Sequence, residues 1–305
     1  MTVVQSEPYP PRSVGFRRLT PLKGTTTPWF MWVQQIVLCC LVVAIYYHIV
    51  AKLVMDWYTN PDFSHGFLVP FFAAFVVLNK REILRNTQVK QSWAGISLIL
   101  AAVLVLFMGI YGAELFLARL SLVMLLGGLI WTFFGRAILR EVQFALLVLL
   151  LAIPLPAVLF NQITFPLQLL ASRMASALLP LFGVPVLRDG NIIQLPSMRL
   201  EVAEACSGIR SLMSLFAIAV FYGYFLEKTT WRRVVLAFAS IPIAVIANGA
   251  RIVGTGLCVQ YWNPDKAVGF FHEFSGWLIF IVSLCCLYLL HSAMRFRLRS
   301  SKEII

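Results

Sequence analysis

The chain has 305 residues, 60% of them hydrophobic and only 12% charged, with a formal net charge of +12. A soluble domain of this length carries roughly twice that charged fraction, which excludes a soluble globular protein. In a soluble chain this charge would point to nucleic acid; here the placement of the basic residues points to a bilayer.

Residues 1–28 hold Arg12, Arg17, Arg18 and Lys23 among several prolines. A full-length apolar segment follows without a small-residue cleavage site, so they read as a disordered basic cytoplasmic tail and not as a signal peptide. Residues 29–291 read as a single transmembrane domain and 292–305 as a second basic cytoplasmic tail. The apolar runs approach or exceed the ~20 residues needed to cross the hydrocarbon layer. They predict eight spans, at about 29–51, 64–79, 93–112, 115–134, 142–160, 207–226, 233–252 and 273–291. With the N-terminus inside, the cytoplasmic segments take 17 of the 25 Lys and Arg residues, among them Lys80, Arg136, Arg232 and Arg233, and only five acids. The remaining eight basic and eight acidic residues cancel. That asymmetry predicts an all-α polytopic inner-membrane protein, with both termini cytoplasmic.

One further stretch, Thr164 to Phe182, is apolar enough to span. Crossing there would invert every later loop and carry the Arg232/Arg233 and C-terminal Arg clusters outside. Its polar residues Gln168, Ser172, Arg173 and Ser176 recur about every four positions, on one helical face. The stretch is therefore expected to be an interfacial or re-entrant helix on the outer face. Val184 to Ala205 follows, with the turn signal Asp189-Gly190-Asn191 between short alternating runs. It predicts a small extracytoplasmic hairpin leading to the sixth span.

Six cysteines are present. Cys39, Cys40, Cys258, Cys285 and Cys286 read as small apolar packing, and no metal-ligand spacing occurs. Neither a metal nor another cofactor is expected. Cys206 differs, standing at a loop-to-helix boundary among polar residues.

Three polar clusters converge on one predicted depth, the outer leaflet. They are Glu204-Ala-Cys206-Ser207-Gly-Ile-Arg210, Asn248-Gly-Ala-Arg251 and His272-Glu-Phe-Ser-Gly276. Ionisable groups at that depth are costly and mark function. A helix N-terminus favours a thiolate at Cys206. His272 can hold the thiol proton and return it to a leaving amine. Arg251 keeps its charge and offers several donors to an oxyanion. Together they are the parts of thiol-dependent acyl transfer. Glu204, Ser207 and Asn248 are candidate supporting residues. His65 either lines the same site or caps a loop. Arg210 either pairs with Glu201 or Glu204 or helps bind a substrate carboxylate. Arg119, inside the fourth span, needs a partner, for which Glu114 is the candidate; His48 and His291 read as interfacial residues.

On these residues the chain resembles the exosortase family, the multispanning cysteine transpeptidases of bacteria. The segments are Leu200-Glu-Val-Ala-Glu-Ala-Cys206-Ser-Gly-Ile-Arg-Ser-Leu212, Asn248-Gly-Ala-Arg251 and His272-Glu-Phe-Ser-Gly276, with Asp62-Phe-Ser-His-Gly-Phe-Leu-Val-Pro70 and Gly190-Asn-Ile-Ile-Gln-Leu-Pro196 upstream. The resemblance implies a nucleophile Cys206 completed by Arg251 and His272. It also implies membrane-anchored secreted substrates with a C-terminal sorting signal: a short Pro-Glu-Pro-type motif, one transmembrane helix and a basic tail. Cleavage would leave a thioester acyl-enzyme, resolved by an amine or another acceptor, often beside exopolysaccharide production. Functions of the soluble C-terminal domain that some members carry are not implied. The competing reading is a transporter or export component for a polysaccharide or lipid. That function would gather polar groups near the midplane, often at broken helices, whereas these gather at one face.

Overall fold

A computed structural model describes residues 28–202, 209–262 and 270–302. By its own contacts the chain divides into Met1–Tyr46 and Tyr47–Ile305; the side-chain contacts given below all lie within the second unit. The helices are α1 (Pro28–Thr59), α2 (Leu68–Asn79), α3 (Arg81–Asn86), α4 (Ala94–Tyr111), α5 (Leu115–Phe134), α6 (Arg136–Leu149), α7 (Ala157–Leu178), α8 (Ile209–Leu226), α9 (Thr230–Tyr261) and α10 (Phe270–Lys302). Three short strands, β1 (Leu187–Asp189), β2 (Ile192–Gln194) and β3 (Arg199–Glu201), stand between α7 and α8. Among the described residues, eight helical stretches are long and apolar enough to cross a bilayer. The fold is the expected all-α polytopic one.

Seven of the eight overlap the predicted spans; the fifth is corrected. The stretch 142–160 is not one helix. α6 begins earlier, passes into a 3₁₀ turn at Leu150–Ala152 and stops before α7 restarts at Ala157. Pro154 and Pro156 are the cause, since each lacks an N–H and disfavours helical geometry in the residue before it. α6 with its turn still runs the length of α2. At one end Lys80 Nζ lies 3.0 Å from Glu141 Oε2. At the other, Trp57 Nε1 donates to the Ala152 carbonyl at 2.8 Å and His65 Nε2 lies 3.2 Å from the Leu151 carbonyl. In place of 142–160, the long apolar stretch is 157–182. The start of α7 lies by the 3₁₀ segment that holds His65, where Phe160 packs on Phe63 with ring centroids 5.7 Å apart. From there α7 follows α9, with Met174 at Gly249 and Leu179 at Gly256, and beyond its far end the Phe182 carbonyl receives a 2.7 Å hydrogen bond from the Tyr261 hydroxyl at the close of α9.

The predicted hairpin is present, and a third strand joins it in the order β1-β2-β3, antiparallel throughout. Gly190, first of the two turn residues between β1 and β2, has φ +62 while Asn191 does not share the positive φ; that pattern belongs to a type II′ turn, which favours glycine there. The hairpin is seated on α7. Ser172 Oγ donates to the Gly190 carbonyl at 2.9 Å, and Asn191 Nδ2 reaches Gln168 Oε1 at 3.5 Å. Part of the polar stripe on α7 thus serves the hairpin. Beneath the sheet, Ile193, Leu200 and Val202 form one core with Ala171, Ala175 and Leu179 below β1 and with Ile252, Val253 and Val259 of α9. We call this the sheet end.

At the opposite end Glu227, 4% exposed, closes the turn between α8 and α9. Its Oε1 lies 2.8 Å from His291 Nε2 and 3.7 Å from Arg295 Nε, and its Oε2 lies 3.3 Å from Arg232 Nη1. Arg233 Nε donates to its carbonyl at 2.7 Å, and Tyr222 Oη lies 2.5 Å from His291 Nδ1. A carboxylate only accepts, so His291 Nε2 donates to Glu227. His291 is therefore a buried link and not the interfacial residue expected. The clasp ties α8, α9 and α10 at one end. Burial alone would push the Glu227 carboxyl up; the His291 hydrogen bond with Arg232 and Arg295 outweighs it and holds the carboxyl below its usual value. A lowered carboxyl stabilises the fold above its unfolded pKa and loses that contribution as pH falls through its folded one. Glu227→Gln should therefore cost about 2 kcal/mol at neutral pH, the scale of hydrogen bonds to a charged group. In thermal unfolding at successive pH values, the deficit should close below about pH 4.

The partner of Arg119 also differs from expectation. Glu114 instead caps α5, accepting from the Phe116 N–H at 3.2 Å, and Arg119 pairs with Asp56 of α1. Asp56 is remote in sequence, which is why periodicity does not reveal it.

Candidate active site

At the sheet end α9 carries Asn248 and Arg251, and α10 carries position 272 near its start. Gly223 of α8 packs against Arg233 of α9. Counted back along antiparallel helices at equal rise, the start of α8 at Ile209 comes level with α9 about one turn before Arg251. Cys206, with Glu204 and Ser207, lies outside the described residues. In the chain Cys206 stands three residues before Ile209, between β3 and α8.

Arg251 is half-buried on α9, and Asn248, three residues before it on the same face, is 8% exposed. The Arg251 guanidinium lies along Gly276 of α10: a Cβ on Gly276 would meet Nη2 at 2.9 Å and Cζ at 3.1 Å. Position 272 is four residues earlier in α10, on the same helical face and one turn nearer its start. The side chain of His272 is outside the described residues. The fold thus joins position 251 to the helical face that bears position 272.

His65 and Arg210 take quieter places. His65 is buried, and its contact to the Leu151 carbonyl binds the 3₁₀ segment Pro61–Phe67 to the turn after α6, which is the capping alternative. Arg210 Nε lies 3.5 Å from Asp62 Oδ1, with the Arg210 side chain 58% exposed and Asp62 21% exposed. Asp62 was missed as a partner because the pairing spans nearly half the chain. Among the described residues, no three His, Cys, Asp or Glu side chains gather to hold a metal ion.

A family model described as transmembrane exosortase matches residues 57–289, which contain every residue discussed above at the sheet end. The chain belongs to the transmembrane exosortase family. No curated protein and no solved structure matches it. For this exosortase the residue the sequence quoted without a role is Gly276, which leaves space for Arg251. Gly276→Ala should displace the guanidinium, a flexible group that yields readily. We expect activity to fall about tenfold, less than for removal of the guanidinium itself. Thermal unfolding should barely change, and measuring both separates displacement from misfolding.

Proposed function

We propose that this exosortase is a membrane cysteine transpeptidase that cleaves C-terminal sorting signals of secreted proteins. The observation that carries the reading is the seat of Arg251 against Gly276, one turn from position 272, in a chain whose family match spans all three polar clusters. The Cys206 thiolate attacks the scissile carbonyl and forms a carbon–sulfur bond. Arg251 donates to the oxyanion of the tetrahedral intermediate. His272 takes the thiol proton and delivers it to the departing amine as the carbon–nitrogen bond breaks. The thioester is then resolved by water or by an amine acceptor, which regenerates the thiol.

The sheet end faces the periplasm in this reading, and both tails are cytoplasmic. The Lys and Arg asymmetry supports that orientation. The substrate's own helix lies in the bilayer with its basic tail inside, so its scissile peptide leaves the membrane at the sheet end. Trapping the thioester tests the proposal: a model substrate carrying a Pro-Glu-Pro-type signal, one transmembrane helix and a basic tail should yield a hydroxylamine-labile adduct that maps to Cys206. Substrate cleavage with no such adduct under rapid quench, and with no effect of blocking Cys206, would remove thiol catalysis.

A further inference from the structure

The geometry points to β3 as a docking strand: we propose that the extended peptide of the substrate adds to its open edge as a fourth strand. The inference rests on the peptide-cleaving reading above and concerns how the peptide is held.

β3 is an edge strand, since the order is β1-β2-β3. The register fixes which of its backbone groups are spent. The Leu195 N–H donates to the Met198 carbonyl at 2.9 Å and the Val202 N–H to the Asn191 carbonyl at 3.0 Å, with Ile193 opposite Leu200 between them. Alternation in an antiparallel ladder means that Met198, Leu200 and Val202 face β2, while Arg199 and Glu201 direct their N–H and C=O groups away from the sheet. No strand among the described residues takes them. The side chains alternate too. Leu200 is 3% and Val202 0% exposed in the core, whereas those of Arg199 and Glu201 stand on the exposed face. Such an edge is a template for one more strand.

Position selects the occupant. Val202 is four residues before Cys206, a reach of at most ~14 Å even when fully extended. The core under β3 includes Ile252 and Val253, the two residues after Arg251. The edge is thus held to the helical turn that bears the oxyanion donor and leads along the chain to the nucleophile. A segment hydrogen-bonded to Arg199 and Glu201 is extended, as a scissile peptide must be, and its register sets which bond arrives at the thiol. Because the recognition is by main-chain groups, side chains facing away from the core stay free to vary.

Proline at an outward-facing position removes the open donor but leaves the β2 ladder intact. Glu201→Pro should slow processing three- to tenfold more than Glu201→Ala, which keeps the N–H; the difference is the equivalent of about one hydrogen bond. The second arm uses the unaltered enzyme with model substrates N-methylated one residue at a time beside the scissile bond. Losses should alternate, every second position sensitive and those between tolerant. Equal effects of the two Glu201 substitutions, or N-methyl losses without alternation, would overturn strand addition. If Glu201→Pro does not accumulate, the N-methyl series decides alone. If Glu201→Pro only dissociates a dimer and the N-methyl series is flat, the edge pairs two copies of this chain and the proposal fails. Cys206→Ser run in parallel separates the levels: a dead Cys206→Ser with a flat series sinks only the docking, whereas an active Cys206→Ser sinks the peptidase reading itself.

Discussion

Replacing Cys206 with serine is expected to lower processing by orders of magnitude, with uncleaved substrate accumulating in the membrane. The change alters one atom and keeps the shape. What it removes is ionisation: a thiol reaches its thiolate near neutral pH, while a serine hydroxyl stays protonated and is a poor nucleophile without a strong base. Cys258 supplies the control. It is half-buried against the core beneath the sheet, so Cys258→Ser replaces a small packing group and should leave the rate close to that of the unaltered enzyme. Time courses of substrate cleavage in membranes compare the two directly; cleavage by Cys206→Ser at the normal rate would end the thiol mechanism.

The second large effect is at Arg251, where a lysine keeps the charge but loses the planar fork of donors. We expect Arg251→Lys to cost ~10²-fold or more, the scale of one oxyanion donor. His272→Gln should abolish turnover of the peptide for a different reason, since no group then protonates the amine as it leaves. Substrate chemistry distinguishes the two. An activated ester or thioester has a leaving group that departs without a proton, so it should partly rescue His272→Gln and not Arg251→Ala. Equal rescue of both would mean that the two residues act together, in binding or in holding the thiolate.

The legible part of this protein was whatever depends on local pattern. Apolar runs gave the spans, and Asp189-Gly190-Asn191 gave the turn, because each is written in consecutive residues. The order Cys206, Arg251, His272 gave the candidate site, and the fold joins the helical positions of the last two through Gly276. Reading failed where a partner is distant or a breaker sits inside an apolar run. Pro154 and Pro156 interrupt a run whose composition alone still looks continuous, so composition outweighed backbone chemistry in the reading of 142–160. Asp56 for Arg119, Asp62 for Arg210 and Glu227 for His291 are pairings across loops and helices; no periodicity encodes them. β1 and β2 are equally short but flank the Asp189-Gly190-Asn191 turn signal; β3 lies outside it and is a strand through its pairing with β2.

The lengths of α8 and α9 carry one more consequence. α9 has 32 residues against 18 in α8, so it overhangs the start of its neighbour by roughly 20 Å at 1.5 Å per residue. The sheet and Arg251 are both borne by that overhang, through Ile252, Val253 and Val259. They behave like two instruments bolted to a single mast. A bilayer of different thickness alters helix tilt readily, but a close-packed core resists internal shear. When the mast leans, the guanidinium and the open strand edge lean with it, and their alignment is carried from one membrane to another unchanged.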